Sequence, residues 1–408
     1  MQVVHPHAAG LDIHKDTVVA CVRGAQGARI THDTETFPTT TRGLLALSEW
    51  LTARQVQHVA MEATGVYWKP VWHLLEGHFE LTLANPHHIR SVPGRKTDVR
   101  DAQWIADLHA HGLIAASFVP PEPIQDVRDL TRTRKQLVRE TVQHTQRIQK
   151  LLEDCNLKLA SVLSNVVGKS GRAILRALID GETDPTKLAA RAVGTARKKQ
   201  AALGEALRGK VRPHHRQLLC VHLDLLESIE GSIREVDALL GKALDSMKVQ
   251  LRLLTTIPGV SDVVAQTVIA EIGIDMTKFP SVEHLISWAG LCPRNDQSAG
   301  KKRSTRVRAG DVWLKTMLVQ AAWAAVRVKG TYLRAQFYRL LARRGPKKAI
   351  VAVAASMLAS AYVMLRDGVE YRDLGAEYFN TQQKEKVAAR LTRRLRDLGY
   401  EVELKQAA

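Results

Sequence analysis

The sequence predicts an α/β amino-terminal domain, a long helical coiled-coil middle and a mostly α carboxy-terminal domain. Three observations carry this. Short apolar runs alternate with helix-period segments up to about residue 120. Two long stretches, about 124–165 and 214–254, keep apolar residues at three- or four-residue steps. From residue 255 onward the pattern stays helical but turns strongly basic.

The elements follow in order. AAGLDIHKDTVVACVRG (8–24) reads as a strand carrying Asp12, a turn at His14 to Asp16, then a second, β-branched strand. HVAMEATG (58–65) is a short apolar run ending in Glu62 and Gly65, and the helix-like YWKPVWHLLEG follows it. LTLANP (81–86) is a third run, stopped by Pro86. In TDVRDAQWIADLHAHGL (97–113), Val99, Ala102, Ile105, Ala106 and Leu108–Ala110 fall near one helical stripe. PPEP (120–123) marks a boundary. Val127, Leu130, Leu137, Ile148, Leu151, Cys155 and Val162 line the first long helix. Leu218, Leu225, Ile229, Ile233, Val236, Leu240, Leu244 and Met247 line the second, as in the arms of an antiparallel pair or coiled coil. The Gly-, Arg- and Lys-rich stretch between them, about 166–213, predicts short helices at a tip, either touching nucleic acid or simply solvated. The expected domains are 1–121, 122–254 with the tip, 255–375, and a charged helical tail 376–408.

Apolar residues make up 45% of the chain, which supports a sizeable core and excludes global disorder. Lys+Arg 59 against Asp+Glu 41 gives a net charge of +18, which favours a polyanionic partner. Between 293 and 350 there are 15 basic residues and only two acids, Asp296 and Asp311, so about +13 of the +18 lies there. Cys21, Cys155, Cys220 and Cys292 lie far apart with no C-x-x-C pair, against a zinc ribbon or thioredoxin motif and in keeping with a reducing cytoplasm. The opening residues do not read as a secretory leader. The Ala-rich stretch Ala349 to Leu365 is short for a membrane span and suits a buried helix, so no membrane partner is expected.

Four carboxylates carry the chemistry. Asp12 sits inside an apolar strand pattern and Glu62 closes another, where an uncompensated acid is costly. Asp98 and Asp101, three apart at a helix start, share a face. Acids converging from separate segments repel, and a hard divalent cation, Mg²⁺, relieves the repulsion and serves phosphoryl transfer. Singly, Asp98 reads more readily as a helix N-terminal charge and Asp101 as a solvated first-turn residue, both favourable to the helix dipole; the joint pattern carries the weight.

Ile257-Pro258-Gly259-Val260 predicts a tight turn before a helix, like the phosphate-binding turn of helix-hairpin-helix modules or an ordinary Pro-Gly turn. WAGLCPRNDQSAGKKRSTRVRAGDVWLKTML (288–318) places Ser298 in a small-residue loop beside many cations. Such a serine can be a nucleophile with Ser304 as rival, but most loop serines are merely hydrogen-bonded. Lys301, Lys302, Arg303, Arg306 and Arg308 read as phosphate contacts, with Arg95, Lys96, Arg294 and Lys315 counted beside them. His87-His88 reads as a strand-end cap rather than a metal site, and Trp68, Trp72 and Trp104 as core.

These pieces together resemble the insertion sequence 110 family of transposases, the bridge-RNA-guided recombinases. The matching strings are GLDIHK, MEATGVYW, ANPHHIR, KTDVRDAQWIADL, IPGV…AEIG, FPSVEHLISWAGLCPR and QSAGKKRS, in family order across most of the chain except about 170–215. The resemblance implies a RuvC-like domain of the RNase H fold whose DEDD acids fall on Asp12, Glu62, Asp98 and Asp101. It implies a carboxy-terminal transposase domain whose nucleophile falls on Ser298, forming a transient covalent link to DNA. It further implies catalytic centres assembled between protomers of a tetramer (at least a homodimer), donor and target double-stranded DNA as substrates, and a structured non-coding bridge RNA that pairs with both. A bacterial cytoplasmic, nucleoid-associated location goes with this. The order Ser298-Ala299-Gly300 departs from the family's usual Ser-Gly. Two other functions fit parts of the sequence: a water-using, metal-dependent junction resolvase or nuclease, and a non-catalytic nucleic-acid-binding scaffold.

Overall fold

The strand that carries Asp12 is the centre of a five-stranded sheet in the computed structural model. The strands are β1 (Ala8–Ile13), β2 (Thr17–Gln26), β3 (Arg29–Pro38), β4 (His58–Glu62) and β5 (Glu80–Ala84), in the order β3-β2-β1-β4-β5. β1, β2 and β3 pair antiparallel, whereas β4 joins β1, and β5 joins β4, in parallel. Helices α1 (Thr41–Ala53), α2 (Trp68–Leu75) and α3 (Asp98–Ala110) connect or cover them. The structure describes residues 3–26, 29–63, 65–85, 98–293, 296–298, 301–304, 306–307, 310–381 and 384–403. The chain divides into two units, Met1–Val119 and Pro120–Ala408.

All six residues of β1 are buried, because both of its faces are covered. Ala9, Leu11 and Ile13 enter a core with Leu47, Leu51, Val59, Met61 and Leu75. Ala8, Gly10 and Asp12 alternate onto the other face, where α3 lies. A Cβ on Gly10 would stand 2.3 Å from the Ala102 carbonyl oxygen and 2.4 Å from the Ala106 nitrogen. Gly10→Ala is therefore expected to cost about 3 kcal/mol, at the upper end of overpacking penalties, read as a lowered urea midpoint.

β3 carries no apolar run that predicts it, whereas Leu44, Leu47 and Leu51 of α1 fall at helical spacing and are buried. β3 is an edge strand whose side chains, apart from the buried Phe37, are mostly exposed, and the ten-residue register with β2 holds it. α1 starts at Thr40, whose hydroxyl accepts from the Gly43 N–H at 3.2 Å. Trp72 is buried and Trp68 packs against the same core, while Trp104 packs beside Ile105 and Leu108 of α3.

A histidine cluster closes the opposite end of this unit. The rings of His5 and His58 lie 4.1 Å apart and those of His5 and His109 4.9 Å apart. His58 pairs with Glu80 at 3.0 Å. Burial, then the neighbouring His5 and His58, push the His109 imidazole down to about 4 from 6.5. The folded unit thus binds fewer protons than the unfolded chain between these values. Its stability is expected to be full above about pH 6.5 and to fall by about 3 kcal/mol as pH drops to about 4. In pH-dependent unfolding, His109→Leu should flatten that slope by one proton.

The second unit begins with α4 (Glu122–Asp154), which runs antiparallel to α5 (Pro213–Ala243). Arg134 pairs with Asp237, His144 lies 3.3 Å from His222, and Cys155 lies 2.9 Å from His215, so contacts rise on one helix as they fall on the other. The first apolar stripe is one helix only to Asp154; Val162 belongs to a separate short helix, Leu159–Val162. The second breaks at Leu244 and resumes as α6 (Lys248–Thr255). Leu244 and Met247 stay buried through the break, which is why the apolar period runs on past the end of the helix. Between α4 and α5, short helices share a core of their own, with Leu159, Ile174, Leu178, Leu188 and Leu203 packed against Ile148, Leu152, Leu219 and Leu223.

After α6 come α7 (Asp262–Ile272), a short hairpin of β6 (Asp296–Ser298) and β7 (Lys301–Ser304), then α8 (Val312–Ala325), α9 (Tyr332–Arg344) and α10 (Pro346–Asp367). Gly259, at φ +84°, turns the chain into α7, and a Cβ there would lie 2.5 Å from the Ala321 carbonyl oxygen. The glycine is thus demanded by close packing on α8. α10 is the one described helix long and apolar enough to cross a membrane. Ala349, Ile350, Val353, Ala354, Met357, Leu358, Ala361, Tyr362 and Met364 are buried, which places it in the core of this unit. The tail carries a further helix, Lys384–Asp397.

Candidate catalytic sites

Parallel pairing puts Leu11 of β1 beside Met61 of β4, so Asp12 and Glu62 are the next residues along neighbouring strands. Both lie on the α3 face: Gly10 meets Ala102 and Ala106, and Ala60 packs with Ile105 and Leu108. α3 runs against β1, since the Ala110 carbonyl accepts from the Val4 and His5 N–H groups at the start of that strand. Its first turn, with Asp98 first and the half-buried Asp101 fourth, therefore lies toward the strand ends that carry Asp12 and Glu62. Asp12 is buried, Glu62 is half-buried, and the His14 Nε2 lies 3.2 Å from Asp12 Oδ2. His14 is a partner that sequence reasoning placed only in a turn. Among the described residues no three His, Cys, Asp or Glu side chains are grouped closely enough to hold a metal ion. Arg95, Lys96, His87 and His88 lie outside the described residues.

In the second unit, backbone pairing sets Ser298 opposite Lys301, Gln297 opposite Lys302 and Asp296 opposite Ser304. A bridge between Pro293 and Val307 closes the base of this hairpin. Ser298, Lys301, Lys302 and Arg303 are thus placed by backbone on one two-stranded ribbon, and Arg306 beyond it is exposed. Arg294 and Arg308 lie outside the described residues. Lys315 on α8 is half-buried, and burial holds its ammonium below the usual range.

The exit from the hairpin is anchored. A Cβ on Gly310 would stand 2.3 Å from the Gly290 nitrogen, and Asp311 caps α8 by accepting from the Leu314 N–H at 2.7 Å. Arg132 of α4 donates to Asp311 at 3.2 Å and to both oxygens of the fully buried Glu271 at 2.9 and 2.8 Å. Arg128 Nε lies 3.1 Å from Glu271 as well. Burial raises the Glu271 carboxyl above the usual carboxylate range, against the pull of Arg132. The sequence signal for this network was an acid inside an apolar helix. Glu271→Gln leaves two partly buried guanidinium groups short of their counter-charge. It is expected to cost about 3 kcal/mol, read as a lower thermal midpoint.

Sequence comparison places the chain. Residues 9–157 match the IS110 DEDD transposase model, described as "Transposase", and residues 251–339 match "Transposase IS116/IS110/IS902 family". Together the matched segments cover more than half of the chain. The chain belongs to the IS110 family of transposases and is a DNA transposase/recombinase, with DNA as its partner. It is 28% identical over 287 residues to the transposase for insertion sequence element IS1111A of Coxiella burnetii, covering 67% of each chain. It is 25% identical over 378 residues to the pilin gene-inverting protein of Moraxella lacunata, covering 88% of this chain and 95% of the relative. The Moraxella bovis protein of the same name is 24% identical over the same span.

Proposed function

We propose that the chain cuts and rejoins donor and target DNA through Ser298, assisted by Mg²⁺ held by Asp12, Glu62, Asp98 and Asp101, with target choice delegated to a structured RNA. One observation carries the metal half: Asp12 and Glu62 stand at the ends of adjacent parallel strands, on the face from which the Asp98–Asp101 turn begins. The strand order β3-β2-β1-β4-β5, with two antiparallel pairings followed by two parallel ones, supports the RNase H-like, RuvC-like reading. Carboxylate oxygens are the donors a hard cation takes, so this set fits Mg²⁺. The ion would supply charge stabilisation for the pentavalent phosphate.

The chain's own residues supply the rest. The Ser298 hydroxyl gives up its proton as its oxygen bonds to phosphorus, the bond to one deoxyribose oxygen breaks, and that oxygen takes up a proton, so none is gained or lost overall. Rejoining is the reverse with another strand's hydroxyl, so phosphodiester bonds are conserved and no energy source is required. A protein named for inverting a gene needs the same conservation, and its alignment over most of this chain supports recombination over hydrolysis. Lys301, Lys302, Arg303 and Arg306, with Arg294, Arg308, Lys315, Arg95 and Lys96, are the proposed phosphate contacts. The antiparallel α4–α5 pair supports the coiled-coil middle. A homodimer or homotetramer is part of the proposal.

The test uses the purified chain, donor and target plasmids, and RNA transcribed from the DNA flanking the reading frame. Joined product that requires the RNA is expected. Equal joining without it would remove the RNA from the mechanism, and cleavage without joining would favour a nuclease.

A further inference from the structure

A shallow, open pocket lies among α4, α7 and α8, and none of its lining residues is among those assigned above to phosphate contact. Its walls include Arg132, Lys135 and Arg139 of α4, Gln266 of α7, and Trp313 and Thr316 of α8.

Each wall has a distinct chemistry. Trp313 is half-buried and offers a ring. The Arg139 and Arg132 guanidinium groups lie 5.2 and 5.6 Å from that ring's centroid. Arg132 is fixed from below by Glu271 and Asp311. Arg139 and Lys135 have no carboxylate partner among the described residues; Lys135 reaches only the Gln320 amide oxygen, at 3.5 Å. The Gln266 amide and Thr316 hydroxyl line the pocket without a side-chain hydrogen bond to any described residue. A simple anion would have no use for the indole or the amide. An aromatic peptide side chain would have no use for two uncompensated cations. A nucleotide uses all of them: base on the ring, base edge on the amide and hydroxyl, phosphate on the cations.

We infer that this pocket holds one unpaired nucleotide of a DNA strand, its base stacked on Trp313 and its phosphate on Arg139 and Lys135. A base within a duplex cannot reach such a ring, so the strand must be open at that point. The assignment to DNA rests on the chain's class as a DNA transposase, not on the roles proposed for Ser298 or the acids. Binding alone reads it, so it stands or falls apart from them.

The experiment is photocrosslinking of the full chain to a single-stranded oligodeoxynucleotide carrying 5-iododeoxyuridine, with peptide mapping, alongside fluorescence anisotropy. The crosslink is expected on the Trp313 peptide. Trp313→Leu should weaken single-strand binding about tenfold and leave duplex binding unchanged, since stacking and not charge is lost. Trp313→Phe should keep most of the affinity, and Arg139→Gln should weaken it. If Trp313→Leu fails to fold, Gln266→Ala and Arg139→Gln, judged by the same crosslink and affinities, decide the matter. A crosslink that maps elsewhere, or pocket variants with unchanged single-strand affinity, would overturn the inference. Tighter binding of the matching oligoribonucleotide with the crosslink still on Trp313 would overturn the assignment to DNA.

Discussion

Ser298→Ala is expected to abolish both joined product and the covalent protein–DNA adduct, lowering the rate by a factor on the order of 10⁴ or more, as loss of a nucleophile does. The change removes one oxygen from a residue whose backbone is held in the β6–β7 ribbon, so folding should be intact. The adduct is read by denaturing gel and mass spectrometry after trapping with a nicked substrate. An adduct that persists in Ser298→Ala and moves to Ser304 would transfer the role to the residue paired with Asp296 across the ribbon. A wild-type chain that cuts without any adduct would make water the nucleophile.

Asp12→Asn is the second large effect. It keeps the shape of the β1 strand and removes one negative charge beside Glu62. Weakening a Mg²⁺ ligand costs several kcal/mol of transition-state stabilisation, a rate loss on the order of 10³. Recombination against Mg²⁺ concentration is the measurement, with Mn²⁺ as the rescue arm. Full activity in Asp12→Asn would remove the metal role and leave a serine-only mechanism. The His14 contact gives a control, because His14→Gln touches Asp12 without altering its charge and should lose far less.

How much of this the sequence could tell depended on whether neighbours in space were also neighbours in the chain. Asp12 was legible because β1 is buried on both faces, so its apolar run surrounds a single acid. The place of Glu62 beside it was not, because parallel register is set by the sheet and leaves no local mark. β3 escaped notice for a related reason: its polar residues are held by ladder hydrogen bonds, which any side chain allows. The short helices between α4 and α5 could be expected as helices, but their shared core joins residues up to about 75 positions apart and has no period to read. Ser298 stood out from other loop serines only through family resemblance, since nothing in its spacing distinguishes a nucleophile. Trp313 carries no local mark of its setting, because the arginines beside its ring come from α4, far away in the chain.

The α4–α5 arm has a consequence for reach. Arg128, anchored to α7, and Leu152, in the core of the short-helix module, are 24 positions apart on one unbroken helix. At about 1.5 Å per residue that is a fixed span of about 36 Å, close to one turn of duplex DNA, about 34–36 Å. The arm acts as a calliper whose opening is set by residue count. Its length changes only in whole residues, and each residue added also swings the module about 100° around the helix axis. Only insertions near multiples of seven, matched in both helices, lengthen the arm and keep its faces in register.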